Sequence, residues 1–194
     1  MTSTIPPVPI LTASRVRLRP LCADDADDLF ALQSNASVMR YWSHPPWTER
    51  EQAVKRLEQL ARDRETIEFY PWAVTKTGHD MLIGTMSLFA LNREQRRAEI
   101  GYALGANWWG YGYATEMLRA AVEFAFGPLD LERLEADIDP RNAASCRLVE
   151  RVGFLREGLL RQRWRVAGEV TDSAMYGLLR SEHAAAFERD RLLG

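Results

Sequence analysis

The chain has 194 residues, 46% of them hydrophobic and 27% charged, which is enough to bury a substantial core in one domain. A net charge of -2 argues against a protein that mainly binds nucleic-acid backbones. The 2 cysteines exclude a secreted disulfide framework and lack metal-type spacing, so we expect no bound metal. We find no signal peptide and no apolar run of about 20 residues, and therefore expect a cytoplasmic protein without a membrane span.

The first part of the chain predicts a loose arm, a strand and a helix. Residues 1–12 are rich in proline, which favours an arm that packs weakly on the surface. Residues 16–19 alternate apolar and basic side chains as a strand does, and Pro20 ends that strand. Asp24 is the expected N-cap of a helix over residues 24–33, whose first turn gathers carboxylates.

The next segment predicts a second helix and a group of antiparallel strands. Residues 35–47 are aromatic and irregular, and two adjacent prolines force an extended backbone there. The capping-box sequence at residues 48–51 opens a helix that continues to about residue 64. Strands with turn signals between them follow at residues 68–75, 81–91 and 98–104.

The second half of the chain has the order helix, strand, helix and hairpin. Apolar residues at helical spacing over residues 114–125 predict an amphipathic helix that ends at Gly127. Residues 133–139 alternate as a strand, and Asn142 begins a helix with an apolar stripe. The remaining predicted elements are a hairpin of residues 154–165 and 170–179 and a last helix at 182–192. Antiparallel strands followed by a β–α–β portion indicate a mixed sheet of the α+β class.

The turn NWWGYGYA at residues 107–114 is the first candidate binding site. Gly110 and Gly112 at a helix start let a ligand approach the backbone, whose unpaired N–H groups carry the positive end of the helix dipole. This geometry suits a pyrophosphate, although a tight turn without a ligand fits these residues equally well. In the next helix, Ser145 can point toward a groove at the strand ends. Taken alone, however, Ser145 fits a satisfied first-turn serine and Asn142 fits a simple N-cap.

Together, the runs WWGYGYATE and DPRNAASCRLVERVGFLREG closely resemble the GNAT superfamily of N-acetyltransferases, in particular the branch that acetylates the N-termini of ribosomal proteins. The resemblance is specific over residues 98–158 and follows the order of elements over nearly all of residues 1–194, which implies a single N-acetyltransferase domain. It implies a mixed central sheet of about seven strands with helices on both faces. In that fold two adjacent parallel strands, here residues 98–104 and 133–139, splay apart and hold acetyl-CoA between them.

The resemblance assigns the acetyl-CoA contacts to the two motifs. It implies that the pyrophosphate rests on the backbone amides of residues 110–114, the pantetheine arm contacts Asn142, and the thioester sulfur lies near Ser145. The expected cofactor-binding residues are Asn107, Trp109, Gly110, Tyr111, Gly112, Tyr113, Ala114, Asn142 and Ser145. At Asn107 the chain departs from the family pattern, which often has Gln or Arg and thereby a stronger side-chain contact.

Acetyl transfer to an amine needs a neutral nucleophile and a proton for the departing thiolate, and in the family the attack is direct. A free α-amine, with a pKa of about 7.7–8.0, asks less of a base than a lysine with a pKa of about 10.4. Glu99 is the candidate base, acting through water, although a solvated carboxylate paired with Arg97 or another arginine is an equally good interpretation. Ser145 is the candidate acid, because Val149 stands where some relatives carry a tyrosine. Cys146 is a poor candidate for covalent catalysis, since every histidine is distant in sequence.

The acceptor is the least readable part of the sequence. The tryptophans predicted to flank the acceptor end of the cleft are Trp42, Trp47, Trp72 and Trp164, although most buried tryptophans belong to a core. Arginines that alternate along the last hairpin and could attract an acidic acceptor or the ribose phosphate of CoA are Arg161, Arg163 and Arg165. A solvated face explains these arginines more simply.

The resemblance favours the α-amine of a protein or peptide N-terminus as the acceptor. A small-molecule amine, such as a polyamine or aminoglycoside, is the alternative within the enzyme class, and a non-catalytic acetyl-CoA-binding module is the alternative outside it. A dinucleotide-dependent oxidoreductase fits poorly, because Thr115 occupies the third position of the glycine fingerprint and the upstream strands are antiparallel. No heptad or apolar patch in the sequence decides between a monomer and a homodimer.

Overall fold

The computed structural model describes residues 8–62 and 69–184. The strands are β1 (Leu11–Thr12), β2 (Val16–Pro20), β3 (Tyr70–Lys76), β4 (Leu82–Asn92), β5 (Arg97–Leu104), β6 (Arg133–Ile138), β7 (Leu155–Val166) and β8 (Glu169–Leu179). The α-helices are α1 (Ala26–Ser34), α2 (Ala36–Met39), α3 (Arg50–Arg62), α4 (Tyr113–Phe126) and α5 (Ala143–Val152). Short 3-10 turns precede α1 at Ala23–Asp25 and α4 at Ala106–Trp108.

The strands form a mixed sheet of the predicted α+β type. Their order across the 8-stranded sheet is β1-β2-β3-β4-β5-β6-β8-β7. Every neighbouring pair is antiparallel except β5 and β6, which are parallel. The strand beyond the expected seven is the short β1, which lies in the segment predicted as a loose arm. Residues 1–7 of that arm lie outside the described residues.

The parallel strands β5 and β6 separate along their length. Only the start of each strand is paired, with Arg97, Ala98 and Glu99 opposite Arg133, Leu134 and Glu135. Residues 100–104 and 136–138 therefore continue as strands without pairing to each other. This is the splayed pair that the resemblance to the GNAT superfamily implied. It opens a gap in the middle of the sheet, where ladder hydrogen bonds would otherwise exclude a ligand.

Helices pack on both faces of the sheet and build two separate cores. The larger core lies under α4 and α5 and includes the fully buried Trp72, while the smaller core lies under α1 and α3 and includes Leu29. Burying a large apolar side chain contributes about 1.5–3 kcal/mol. Because side chains alternate along a strand, β5 directs Ile100 and Leu104 into the α4–α5 core and Ala103 into the α1–α3 core. The gap beside β5 is therefore open to both layers.

The first helix begins later than the sequence predicted. Asp24 is exposed and is not the N-cap, and α1 starts at Ala26 after the 3-10 turn. Asp25 is buried instead, where its carboxylate accepts hydrogen bonds from the Cys22 amide (2.9 Å) and from the Arg19 guanidinium (2.6 and 2.8 Å). Arg19 lies on β2. Asp25 is therefore the aspartate that turns inward, because it is the one that Arg19 binds.

The second helix also starts with a different cap. The side chain of Gln52 accepts hydrogen bonds from the amides of Thr48 (2.8 Å) and Glu49 (3.0 Å), so Gln52 does what the predicted capping box assigned to Glu51. The reason is that α3 begins at Arg50, which shifts the reach of each side chain by one position. The predicted end of this helix, at residue 64, lies outside the described residues.

The irregular segment before α3 contains an unpredicted short helix. Asn35 caps α2 by accepting hydrogen bonds from the amides of Ser37 (3.0 Å) and Val38 (3.2 Å). This local capping holds residues 36–39 as a helical turn, although their sequence has no amphipathic period.

The last hairpin carries apolar side chains on its outer surface. Strand β7 is the edge strand of the sheet, and large hydrophobic residues exposed on β7 and β8 are Leu155, Leu159, Leu160, Trp164, Val170 and Leu179. The sequence had not indicated such a patch. Most of the predicted helix at 182–192 lies outside the described residues. No helix within the described ranges is long and apolar enough to cross a membrane.

Candidate active site

The turn between β5 and α4 presents open backbone amides. Gly110 and Gly112 have φ angles of +84° and +83°, which an L side chain rarely adopts, and Gly112 is the N-cap of α4. The first amides that bond back into the helix are those of Thr115 and Glu116, which donate to the Gly112 carbonyl at 3.1 and 3.3 Å. The amides of residues 110–114 have no acceptor among the described residues. They can therefore bind an anion at the positive end of the helix.

Hydrogen bonds to neighbouring strands hold this turn in place. The amide of Gly105 donates to the Ile83 carbonyl on β4 at 2.8 Å, and the amide of Trp108 donates to Gly105 at 2.9 Å. The indole of Trp109 donates to the Leu104 carbonyl at 2.7 Å. The open amides are thus presented by a fixed loop, which reduces the entropy that a ligand would lose in ordering it.

Arg15 neutralises a carboxylate in the first turn of α4. Its amide donates to Glu116 Oε2 at 2.8 Å, and its guanidinium donates to Glu116 Oε1 at 2.5 Å and lies 5.1 Å from the Tyr113 ring centroid. An unpaired Glu116 would repel an anion bound at the helix start. Sequence analysis missed this pair, because no local pattern joins residues that lie 101 positions apart.

A cavity of about 610 Å³ extends from this turn through the gap beside β5. On the α4–α5 side it is lined by Gly110, Gly112, Ala114, Asn142, Ser145 and Arg151. On the opposite side it is lined by the end of α2 and the following residues, including Arg40, Tyr41 and Trp42. Strand β5 contributes Tyr102, Ala103 and Leu104 between these two walls. The cavity can therefore admit one ligand from each face of the sheet.

Ser145 shares a short hydrogen bond with a residue that sequence analysis did not single out. Its hydroxyl lies 2.6 Å from the hydroxyl of Tyr102. Burial raises the pKa of Tyr102 to about 12, although the hydrogen bond to Ser145 opposes the rise. Tyr102 is therefore neutral near pH 7. Its position on β5, in alternation with Ile100 and Leu104, was the one signal that could have identified it.

Asn142 caps α5 and also lines the cavity. Its side-chain oxygen accepts a hydrogen bond from the Ser145 amide at 3.1 Å. The simple N-cap interpretation thus holds for its oxygen, while the side-chain amide group stays available to a ligand. The cap also fixes the first turn of α5, which carries Ser145.

The other predicted cofactor-binding residues divide into two groups. Those that line the cavity are Trp109, Gly110, Gly112 and Ala114. Asn107 and Tyr111 are exposed away from it, and Tyr113 packs against Trp108 with the ring centroids 6.3 Å apart. The structure therefore brings the backbone of the turn to the cavity and leaves these three side chains outside it.

Glu99 lies at the point where β5 and β6 separate. It is the last paired residue of β5, opposite Glu135, and it faces the same side of the sheet as Ala103. It does not line the cavity and has no hydrogen-bond or ion-pair partner among the described residues. Arg97 binds Glu135 at 2.9 Å and forms no ion pair with Glu99. The charges of Arg163 and Arg97 nevertheless act on Glu99, so the predicted influence of a nearby arginine is present without a direct pair.

The electrostatic environment of Glu99 favours its protonated form. Burial raises its pKa, and the nearby carboxylates of Glu135 and Asp137 raise it further, while Arg163 and Arg97 partly oppose them. A carboxyl group whose pKa is moved toward neutrality is a better general base for an amine than an ordinary surface glutamate.

The predicted tryptophans lie in different environments. Trp42 lines the cavity, whereas Trp47 packs against the α1–α3 core. Trp72 is fully buried in the α4–α5 core, and its indole donates to the Pro9 carbonyl at 2.7 Å. On β7, Trp164 donates to Asp137 at 3.1 Å and is not part of the cavity lining. The inward-facing position of Trp72 on a central strand explains its burial.

Two further candidates lie away from the cavity. Cys146 packs against the α4–α5 core and does not line the cavity. Of the alternating hairpin arginines, Arg163 lies 3.8 Å from Asp137 and stacks beside Trp164. Within residues 8–62 and 69–184, no cluster of three or more His, Cys, Asp or Glu side chains could hold a metal ion.

Residues 15–155 match the family model described as an acetyltransferase (GNAT) domain. The chain is also similar to the uncharacterized N-acetyltransferase p20 of Bacillus licheniformis, with 33% identity covering 90% of this chain and 98% of that protein. It is 26% identical to the spermidine N(1)-acetyltransferase of Escherichia coli K12, covering 90% of this chain and 91% of that protein.

Solved structures with the same fold include two from Vibrio cholerae. One is a spermidine N-acetyltransferase in complex with CoA and spermine, with a TM-score of 0.78, 23% identity, and coverage of 87% of this chain and 98% of that chain. The other is named as a ribosomal-protein-serine acetyltransferase, with a TM-score of 0.76, 25% identity, and coverage of 90% and 99%.

Proposed function

The chain belongs to the GNAT family of acetyltransferases, and from that premise we propose that it acetylates the α-amine of a peptide or protein N-terminus. The observation that carries this proposal is the cavity, which is lined from both sides of β5 in the part of that strand that no longer pairs with β6. Open amides line it on one side of the sheet, and the α2 segment lines it on the other. We place this activity in the cytoplasm and expect a monomer or homodimer.

The residues of the α4–α5 wall fit acetyl-CoA. The amides of residues 110–114 can bind the pyrophosphate, since none has a partner among the described residues and Gly110 leaves open space where a Cβ would stand. Asn142 and Ser145 lie further along the same wall, where the pantetheine arm and the sulfur are expected. When bound, acetyl-CoA supplies an acetyl group activated as a thioester.

The proposed reaction forms a bond between the amine nitrogen and the acetyl carbon and breaks the bond between that carbon and sulfur. Glu99 receives the proton that the amine loses, through water, and water in turn carries one proton from Glu99 to the thiolate, which becomes the CoA thiol and leaves the protein unchanged. Ser145 donates its hydroxyl hydrogen toward that sulfur, while neutral Tyr102 donates to the serine oxygen. No covalent intermediate on the protein is required.

An α-amine suits this site better than a lysine amine does. Deprotonating a lysine instead costs roughly 3.5 kcal/mol more at pH 7, from a pKa difference of about 2.5 units at 1.36 kcal/mol each. Burial and the carboxylates of Glu135 and Asp137 raise the pKa of Glu99, and a carboxyl base of this kind has less proton affinity to supply for a lysine amine than for an α-amine. The similarity to a protein named for a ribosomal-protein substrate supports the same acceptor class.

A polyamine is the second candidate acceptor. It is favoured by the similarity to a spermidine N(1)-acetyltransferase along nearly the whole of both chains. Spermidine has primary amines whose pKa resembles that of lysine, so this acceptor would demand a stronger base than an N-terminal peptide does.

An acceptor screen monitored by release of the CoA thiol tests the proposal. Peptides with free N-termini should release thiol, whereas the same peptides with blocked N-termini should not, and Ser145→Ala should slow release while retaining acetyl-CoA binding by calorimetry. Turnover of spermidine or an aminoglycoside without turnover of any peptide would select the second acceptor class. Binding of acetyl-CoA without turnover of any amine would instead identify a binding module.

A further inference from the structure

The wall of the cavity opposite the glycine turn is built by residues 37–42. Within this segment Val38 and Trp42 pack against the α1–α3 core, so the segment lies on the side of the sheet opposite to α4 and α5. The α4–α5 wall, which is proposed to bind acetyl-CoA and includes Gly110, Asn142 and Ser145, is the cofactor wall. An acceptor that reaches Ser145 must therefore pass residues 37–42, and this wall is called the acceptor wall below.

The charged side chains that line the cavity are both arginines. Arg151 lies in the last turn of α5, on the cofactor wall, and Arg40 lies on the acceptor wall. Within the described ranges, no Asp, Glu or Lys contributes to the lining. A polycation would therefore enter a cavity of its own charge, whereas an anion would enter one of the opposite charge.

Arg40 is available to a ligand. Its side chain is exposed, has no ion pair among the described residues, and stacks on Tyr41 with its guanidinium carbon 5.5 Å from the ring centroid. Arg141 approaches the same ring at 5.8 Å, but it binds Asp139 at 2.6 Å and also pairs with Glu169. Of these two guanidinium groups, Arg40 is the one left to bind another carboxylate.

The acidic side chain beside this wall is already occupied. The carboxylate of Asp139 is only 6% exposed and accepts hydrogen bonds from Arg141 at both of its oxygens. Burial alone would raise its pKa, but these hydrogen bonds and the charges of Arg141 and Arg40 lower it. Asp139 is thus a paired carboxylate and does not present an open site for the second amine of a polyamine.

We infer that Arg40 selects acceptors with a carboxylate close to the reacting amine, so that the preferred substrates are N-terminal peptides with an acidic residue at the first or second position. A guanidinium offers paired N–H donors that match a carboxylate, and its stacking on Tyr41 orients them. The inference deepens the proposed function and rests on it for the identity of the reacting amine.

The test compares peptides that differ only at the second residue, which is Glu, Gln or Lys after an N-terminal Ser. For the wild type we expect kcat/KM to fall about tenfold from Glu to Gln and further to Lys, the tenfold step being that of one charge-assisted hydrogen bond. Arg40→Gln should remove the difference between Glu and Gln, and Arg40→Glu should reverse the order of Glu and Lys. Arg62→Gln, which removes an exposed arginine from α3 away from the cavity, is the matched control and should leave the order unchanged.

Calorimetric binding of the same peptides to the protein–CoA complex separates this inference from the proposed function. If no peptide is acetylated but the Glu peptide binds more tightly and loses that advantage in Arg40→Gln, the proposed function fails and the role of Arg40 stands. Equal binding and turnover of the three peptides, an order unaffected by Arg40→Glu, or tighter binding of spermidine would overturn the inference. Faster turnover of free glutamate than of any peptide would overturn the inference that the preferred acceptor is a peptide.

Discussion

Among individual side chains, the Tyr102–Ser145 pair is the one that most directly bears on the proposed chemistry. The two hydroxyl groups are 2.6 Å apart, and Tyr102 keeps its proton because burial raises its pKa to about 12. A neutral Tyr102 can donate to the serine oxygen, which leaves the serine hydrogen free to point at the departing sulfur. Tyr102 is thus a positioning residue that acts through Ser145.

We predict that Tyr102→Phe lowers kcat about tenfold without changing the KM for acetyl-CoA, because it removes orientation and leaves the cofactor contacts intact. Ser145→Ala should lower kcat by about 100-fold. The double variant should be no slower than Ser145→Ala, since Tyr102 acts only through that serine. Steady-state kinetics of the three variants give the comparison.

Tyr176→Phe is the control for this pair. Tyr176 is a buried tyrosine whose hydroxyl donates to Glu150 at 3.0 Å, and it does not line the cavity. Its loss should lower stability by about 1 kcal/mol, as the loss of the Tyr102 hydroxyl does, but should leave kcat unchanged. Additive effects of the Tyr102 and Ser145 substitutions would show that Tyr102 does not act through the serine.

The pH dependence of the rate tests Glu99 as the base. Because burial, Glu135 and Asp137 raise the pKa of Glu99, kcat/KM per unprotonated amine should fall as pH drops through a value above 4.5. Glu99→Gln should remove this acid limb and lower the rate at least tenfold. Glu135→Gln should move the limb to lower pH, because it removes a neighbouring negative charge. Thermal melting must first show that the wild type and both variants are folded. If the acid limb is then identical in all three, Glu99 is not the general base.

At the level of secondary structure, the start of α4 combines a left-handed glycine backbone with a neutralised carboxylate. Gly112 adopts φ +83°, and a Cβ added there would lie 3.1 Å from the Arg15 guanidinium that holds Glu116. The open amides, the helix dipole and the Arg15 ion pair therefore depend on the same few residues. The turn itself is a short segment of sequence. Anion binding there nevertheless depends on the contact between Arg15, which directly precedes β2, and Glu116 on α4.

We predict that Gly112→Ala weakens CoA binding, because the added Cβ lies 3.1 Å from the Arg15 guanidinium, shifts it by a few tenths of an ångström and so weakens its neutralisation of Glu116 beside the phosphates. Stability should fall by about 1–2 kcal/mol, the cost of a left-handed L-residue. Gly78→Ala is the matched control: it has φ +82° in the β3–β4 turn and open space around its Cβ. It should lose similar stability in urea unfolding and none of the CoA affinity, and equal CoA binding by both variants would contradict the role of Arg15.

In the molecule as a whole, the two cores are joined through the sheet, and a buried ion pair fastens α1 to it. Arg19 on β2 binds Asp25, which is 3% exposed, and also donates to the Asp80 carbonyl at 2.8 Å in the β3–β4 turn. Burial alone would raise the pKa of Asp25, but the hydrogen bonds from Arg19 and the Cys22 amide outweigh it and lower the pKa. The ion pair thus ties the helical layer that carries α2 to the strands beneath it.

We predict that Asp25→Asn destabilises the protein by about 3 kcal/mol at pH 7, because it leaves the largely buried Arg19 charge with only the exposed Asp80, 3.8 Å away, as an ion-pair partner. A carboxyl group with a lowered pKa stabilises the fold above its ordinary pKa near 4, and this contribution disappears as pH falls through the folded value. The difference between wild type and Asp25→Asn in urea unfolding should therefore shrink below about pH 4.

Asp27→Asn is the control for the buried pair. Asp27 is exposed and pairs with Arg50 at the surface, so its loss should change stability little. An equal effect of both substitutions, or a difference between wild type and Asp25→Asn that stays constant down to pH 2, would contradict the assignment to the buried pair.

Local sequence patterns determined the order of the elements and the backbone of the site. Strand alternation, helical spacing and helix-start residues are properties of neighbouring positions, so they predicted the glycine turn, β6 and the Asn142 start of α5. Two motifs at the right separation were enough to indicate the acetyltransferase family. Helix starts were less predictable, as Asp24 and Glu51 show, because distant partners decide which of several polar residues turns inward.

The side chains of the site were decided only by the tertiary structure. Tyr102 and Ser145 lie 43 positions apart and meet because β5 separates from β6 beside the first turn of α5. Trp42 and Trp72 looked alike in sequence, yet one lines the cavity and the other is buried in a core. A side chain's partners depend on which face of which strand it occupies and on what packs there. That information lies in contacts between distant segments, which no local period encodes.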